Sequence, residues 1–247
     1  MINVACDLDG TIYKGNKLID GVEDAYKLLV KKNINIIFIT NNSSQSPNTL
    51  KQKLQSLLNC EISIKNIITP LMLFKNYIDS SIYNIYVYGS KDLKEFLKNS
   101  NYNLTSLEKS NFILIGRKDK LDYDEIQKII NNVKKGKTIY SLNKDLTYPT
   151  ENKELPGNGA VVKMIEDGTK KIINTFGKPD DFYTKYFVDS KIKIDYVVGD
   201  RVDTDINFAK KINAYSILVT SGVSNFLSEE TADLKLNSFS EIVPFII

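Results

Sequence analysis

Two carboxylates, Asp7 and Asp9, stand two residues apart at the end of the short apolar run Ile2–Cys6, followed by Gly10 and Thr11. Side chains alternate along a strand, so an extended chain places both acids on one face. Gly10 permits a tight turn and leaves room for a ligand to approach the backbone. A carboxylate pair at the carboxyl end of a strand, in an open α/β sheet, lies where such folds bind ligands. It suits a hard cation such as Mg2+ and nucleophilic attack by one carboxylate. A solvated Asp-Gly turn is the plainer alternative, and the pentapeptide alone does not choose between them.

Three later segments have the residue types to complete such a site. Thr40-Asn41-Asn42-Ser43 follows the apolar run Ile34–Ile39. A hydroxyl and free backbone N–H groups at a strand-to-helix junction form an anion cradle, or simply a polar turn. Phe176-Gly177-Lys178-Pro179 offers an ammonium at a turn, with Pro179 able to start a helix. A fixed cation there would neutralise phosphoryl charge, although Gly-Lys-Pro also suits an ordinary surface turn. Gly199-Asp200-Arg201-Val202-Asp203-Thr204-Asp205 follows the run Ile194–Val198. Its acids can hold a cation already ligated by the first pair. The spacing does not match a calcium-binding EF-hand loop.

These segments need a scaffold of alternating elements. Strand-like runs occur at Ile2–Cys6, Ile34–Ile39, Ile67–Ile68, Ile82–Tyr88, Phe112–Ile115, Thr138–Ser141, Ala160–Met164, Ile194–Val198 and Ser216–Val219. Between them, helical periodicity marks Val22–Lys31, Pro47–Leu58, Leu71–Ile78 and Tyr123–Val133. Ser46 is placed to cap the second of these, ahead of Pro47. The alternation predicts an α/β fold with a mostly parallel sheet covered by helices.

Composition narrows the function classes. The chain has 247 residues, 26% of them charged, and a net charge of only +3, with both signs interspersed. That is no footprint for nucleic acid or an acidic membrane. No apolar run is long enough to span a bilayer, and the immediate strand-like start argues against a targeting peptide. Cys6 and Cys60 lack metal or redox spacing, so a cytoplasmic location is expected. There is no histidine. This removes Ser-His-Asp triads and His-ligated zinc, and leaves acid-base work to carboxylates, Lys, Tyr or Cys.

Taken in order, the four segments resemble the motifs of the haloacid dehalogenase (HAD) superfamily of phosphatases and phosphotransferases. Asp200 to Ile206 is similar to the final motif of its NagD-like and p-nitrophenyl phosphatase subfamily. Asn143–Asp145, Tyr148-Pro149 and Leu155–Ala160 resemble that subfamily's cap segment, and Ser221-Gly222-Val223 its closing loop. The resemblance implies a Rossmann-like HAD core with a parallel sheet, made from residues 1–79 and 176–247. A large inserted α/β cap would occupy 80–175.

The resemblance also implies roles. Asp7 would be the nucleophile that forms an aspartyl-phosphate, and Asp9 the general acid and then base. Mg2+ would be held by the Asp7 carboxylate, the Asp9 backbone carbonyl and Asp200, with Asp205 supporting. Thr40 and Asn41 would bind the transferring phosphoryl group, and Lys178 would offset its charge. Asn143 and Asp145, with Lys144, are candidates for contact with the leaving group, or form a capped turn. Arg201 and Asp203 receive no role. The expected substrate is a small phosphorylated metabolite, with no nucleic-acid or membrane partner and a possible homodimer through the cap. A phosphotransferase or mutase would use the same intermediate. A receiver-like phospho-Asp module would need a single domain about half this length and a slow phosphorylated state, and the insert and the Asp9 position count against it.

Overall fold

The computed structural model describes residues 1–151, 153–222 and 232–247. Val223 of the expected closing loop lies outside the described residues. In the first part, β1 (Asn3–Cys6), a hairpin of β2 (Tyr13–Lys14) and β3 (Lys17–Leu18), α1 (Val22–Lys31), β4 (Asn35–Ile39), α2 (Pro47–Leu58), β5 (Ile67–Ile68) and α3 (Pro70–Tyr77) follow in order. Then come β6 (Asn84–Tyr88), α4 (Lys91–Asn99), β7 (Asn103–Leu104), β8 (Phe112–Ile115), α5 (Tyr123–Lys134) and β9 (Thr138–Ser141). A small antiparallel pair, β10 (Thr147–Pro149) and β11 (Glu154–Pro156), precedes α6 (Asn158–Thr169) and β12 (Asn174–Thr175). The chain ends through α7 (Asp181–Asp189), β13 (Tyr196–Gly199), α8 (Asn207–Lys211), β14 (Tyr215–Val219), β15 (Leu234–Leu236) and α9 (Val243–Ile246).

Two parallel sheets organise these elements. The first has strand order β15-β14-β13-β1-β4-β5, so β1 is central, hydrogen-bonded to β13 on one side and β4 on the other. Its strands are apolar on both faces, as a sheet covered by helices requires. The second sheet has order β12-β9-β8-β6-β7 and is also parallel throughout. The two share one apolar cluster. Phe74 of α3 lies 5.9 Å from Phe112 of β8 and 5.4 Å from Phe176, which follows β12. Phe176 in turn stacks on Phe182 of α7 at 4.5 Å.

Local chemistry explains the helices that flank the site. The Ser46 hydroxyl accepts from Thr49 N, and Pro47 fills the first turn where no N–H is needed. Leu50, Leu54 and Leu58 then face the core. In α3, Thr69 caps and Pro70 starts the helix in the same manner. No helix of the described residues is long and apolar enough to cross a membrane.

The segment Ala160–Met164, expected as a strand, lies inside α6. Its adjacent valines favour strands, but the buried residues Asn158, Gly159, Val162 and Ile165 recur at helical spacing. Tertiary packing overrides the local preference. The helix start presses on the chain after β9 so closely that a Cβ at Gly159 would lie 2.1 Å from the Lys144 carbonyl oxygen. Other boundaries shift slightly. The strand expected from Ile82 begins at Asn84, leaving Ile82 exposed, and the helix after Pro179 begins at Asp181.

Candidate active site

The carboxyl ends of β1, β4 and β13 point to one edge of the first sheet. Asp7 directly follows β1, Thr40 follows β4 and Asp200 follows β13. Lys178 arrives from the other sheet, three residues past β12. It is buried, with Nζ 2.7 Å from Asp7 Oδ1 and 2.7 Å from Asp205 Oδ1. Burial disfavours its charge, but Asp205 and Asp7 outweigh burial and raise its pKa well above the ordinary value. The ammonium is therefore a fixed positive charge at the foot of the site.

One carboxylate oxygen from each of Asp7, Asp200 and Asp205 lies within 4.8 Å of the others. All three residues are buried. Glycines make this crowding possible. Gly10 has φ +96°, and a Cβ there would fall 2.4 Å from Asp200 Oδ2. A Cβ at Gly222 would meet the same oxygen at 1.8 Å. The space that sequence reasoning left for a ligand beside Gly10 is taken by this carboxylate. Asp205 sits in a π-helical turn, Val202–Ile206, and accepts from Arg201 N at 3.1 Å. Such turns widen a helix locally and recur at functional sites. An all-oxygen, buried set of this kind fits a hard divalent cation.

Asp9 is placed differently. Its side chain faces a cavity of about 390 Å³ that Asp7, Thr40, Asn41 and Lys178 also line. The Tyr13 hydroxyl lies 3.5 Å from Asp9 Oδ2. Burial raises the Asp9 pKa above the usual carboxylate value, against the pull of Lys53 and Arg117. Two acids two residues apart thus meet unlike surroundings. Asp7 belongs to the lysine and carboxylate cluster, and Asp9 to the cavity wall.

Asn41 ties the parts together. Its Oδ1 accepts from Lys178 N at 2.7 Å, and its Nδ2 donates to Asp145 Oδ1 at 2.8 Å and to the Lys178 carbonyl at 3.1 Å. Asn143 Nδ2 donates to the Asn41 carbonyl and to Ser43 Oγ. Asn143 and Asp145 both line the cavity, yet their bonded atoms brace the Asn41 loop. Burial raises the Asp145 carboxyl to about 6, partly offset by Arg201 and by the Asn41 hydrogen bond. Thr40 Oγ1 accepts from Asn42 N at 3.0 Å, which leaves the hydroxyl proton available to a ligand.

Arg201, to which the sequence gave no role, forms a bidentate pair with Asp203 at 3.1 and 2.7 Å. Arg117 and Lys53 also line the cavity, and sequence reasoning missed both. Arg117 follows Gly116 at the carboxyl end of β8, so the strand-end argument used for Asp7 would have found it. Lys53 lies within α2 and has no distinguishing local signal.

Comparison with known proteins agrees with this geometry. A family model described as haloacid dehalogenase-like hydrolase matches residues 4–103, and a HAD-hydrolase-like model matches 175–241. Both matched segments are of the haloacid dehalogenase type, and together they take in more than half of the chain. The chain is 29% identical over 226 residues to an acid sugar phosphatase of Staphylococcus haemolyticus, covering 89% of this chain and 85% of the relative. A p-nitrophenyl phosphatase from Archaeoglobus fulgidus superposes with TM-score 0.87 at 23% identity, over 99% of this chain and 98% of that one. A glycerol phosphate phosphatase from Mycobacterium tuberculosis, in complex with magnesium, superposes with TM-score 0.75 at 23% identity, over 90% and 68% of the two chains. The last two likenesses concern the fold.

Proposed function

We propose that the protein is a Mg2+-dependent phosphatase of small phosphate monoesters, with residues 80–175 acting as a cap over the site. The observation that carries this reading is the split between Asp7 and Asp9. Asp7 is held 2.7 Å from a buried ammonium, while Asp9 stands outside that cluster on the cavity wall. The acid sugar phosphatase relative, similar over most of both chains, supports the same class.

Asp7, Asp200 and the Asp9 main-chain carbonyl would hold the cation, with Asp205 behind them. When bound, Mg2+ would supply charge neutralisation at the phosphoryl oxygens. The chain's own residues do the rest. Lys178 offsets the repulsion between the Asp7 carboxylate and the phosphate dianion. The Thr40 hydroxyl and the backbone of Asn41 orient the phosphoryl group. An Asp7 oxygen attacks phosphorus, the ester P–O bond breaks, and Asp9 gives its proton to the leaving oxygen. Asp9, now a carboxylate, takes a proton from water as that water attacks the aspartyl-phosphate. The bond to Asp7 breaks and inorganic phosphate leaves.

The test is phosphate release from a panel of phosphorylated metabolites and p-nitrophenyl phosphate. Release should need Mg2+, stop with EDTA, and fall to background in freshly made Asp7→Asn protein. Turnover in that variant at the wild-type rate, or full activity in metal-free protein, sinks the scheme. Labelled water separates hydrolysis from transfer, because only hydrolysis puts the label into phosphate.

A further inference from the structure

Two cations beside Asp9 are not used by the scheme above. Lys53 rests its ammonium 3.6 Å from the centre of the Tyr13 ring, and no carboxylate of the described residues lies within ion-pairing distance of it. Arg117 donates from Nη1 to the Tyr148 hydroxyl at 3.0 Å and from Nη2 to Ser44 Oγ at 3.0 Å. Its guanidinium also lies 4.6 Å from the centre of the Tyr148 ring. The nearest acid is Asp119 at 3.7 Å, a carboxylate whose side chain is 83% exposed. By contrast, Lys178 and Arg201 are matched at 2.7 Å by buried or bidentate carboxylates. Among the described residues, neither the Lys53 nor the Arg117 charge is ion-paired to a buried carboxylate.

Composition gives an independent reason to notice Arg117. The chain has 33 basic residues, of which only two, Arg117 and Arg201, are arginine. Both line this cavity. A sequence that otherwise uses lysine throughout keeps the planar five-donor fork where anions are recognised. Arg117 spends two donors on neutral hydroxyls that fix its orientation, and the remaining donors can meet a ligand.

Position decides what that ligand is. The phosphoryl end of a substrate belongs to Asp7, Thr40 and Lys178. Asp9 addresses the leaving oxygen, so groups around Asp9 and away from Lys178 meet the leaving alcohol. Lys53 and Arg117 are the two cations that act most strongly on the Asp9 charge.

We propose that Arg117 and Lys53 form a subsite for a second anionic group on the leaving alcohol, so that the preferred substrates are phosphomonoesters of hydroxy acids or bisphosphates. This deepens the phosphatase reading and rests on it. Arg117 supplies a bidentate contact from the cap side, and Lys53 a point charge from α2. A neutral polyol phosphate would leave both cations facing solvent.

The test compares 3-phosphoglycerate with glycerol 3-phosphate, which differ by a carboxylate in place of a hydroxymethyl group. Wild-type kcat/KM should favour the carboxylate by roughly tenfold or more, the scale of a charge-assisted hydrogen-bond pair. Arg117→Gln should bring the ratio towards one, and Arg117→Lys should retain part of it. A merely structural role would lower both substrates together and leave the ratio alone. The same pair is also titrated calorimetrically onto Asp7→Asn protein, which reads the subsite without turnover. A wild-type ratio near one, or a ratio that Arg117→Gln does not move, overturns the subsite while phosphate release stands. Preferential binding of 3-phosphoglycerate with no phosphate release from any ester supports the subsite and overturns the phosphatase reading instead.

Discussion

At the scale of single residues, the difference between Asp7 and Asp9 makes a sharp kinetic statement. General acid catalysis typically contributes ~10²–10⁴-fold. Asp9→Asn should therefore lose about that factor on alkyl phosphates, whose leaving oxygen needs a proton. p-Nitrophenyl phosphate, which leaves as a stable anion, should lose much less in the first step. Steady-state rates and burst amplitudes on both substrates check this. Equal losses on good and poor leaving groups would remove Asp9 from the acid role. These two residues were the most legible part of the chain once read with the three later segments, because two acids before Gly-Thr at a strand end leave a solvated turn as the main alternative. Lys178 was legible only in company with them. What could not be read locally was the Asp200 carboxylate seated against Gly10, since that contact joins residues far apart in sequence. Arg117 was within reach of the strand-end argument, since it stands just past β8, but the cavity it lines is set by the topology.

At the scale of elements, the loop after β4 matters most. Asn41 is held by Lys178 on one side and by Asn143 and Asp145 on the other, so loop order depends on chain segments from both sheets. Asp145 gives this bracing a pH signature. Its folded pKa of about 6 lies above the ordinary carboxylate value. Between roughly pH 4 and 6 the folded state then binds more protons than the unfolded chain, so stability falls as pH rises through that window and levels off above it. Asp145→Asn keeps an acceptor for Asn41 Nδ2 but removes the titration. The melting temperature of the variant, minus that of the wild type, should be more positive at pH 7 than at pH 4.5. A difference that is flat with pH would mean that Asp145 has no raised pKa. Elements with strong periodicity, such as α1, α2 and α5, were readable from the sequence within a residue or two. The failure at Ala160–Met164 has a physical cause. A valine pair carries a strand preference of well under 1 kcal/mol per residue, and the packing of α6 on α5 decides otherwise.

At the scale of the whole molecule, the two sheets are mechanically joined by aromatic rings. Phe74, Phe112, Phe176 and Phe182 form a continuous cluster that includes residues from α3, β8, the segment before Lys178, and α7. Phe74 is fully buried. Phe74→Ala should destabilise by roughly 3–5 kcal/mol and should lower the melting of both sheets together. Calorimetry would show one cooperative transition moving as a unit. Two separated transitions in the variant would mean that the sheets fold independently and that the cluster is only an interface. The sequence announced two α/β regions through its resemblance to a known family, but not the ring cluster between them. The aromatic residues lie scattered along the chain, and only the topology brings them into contact.

The central place of β1 also bears on how the chain is made. Val4 lies between Ile36 of β4 and Tyr196 of β13 in the finished sheet. On a ribosome, β4 emerges soon after β1 and can cover one edge at once. The other edge must wait until β13, after the whole second sheet, has been synthesised. Through that interval an apolar strand exposes unpaired N–H and C=O groups, the kind of template on which neighbouring nascent chains aggregate. Completion of the buried carboxylate cluster and protection from aggregation therefore arrive late and together, because the β13 segment that closes the β1 edge also delivers Asp200.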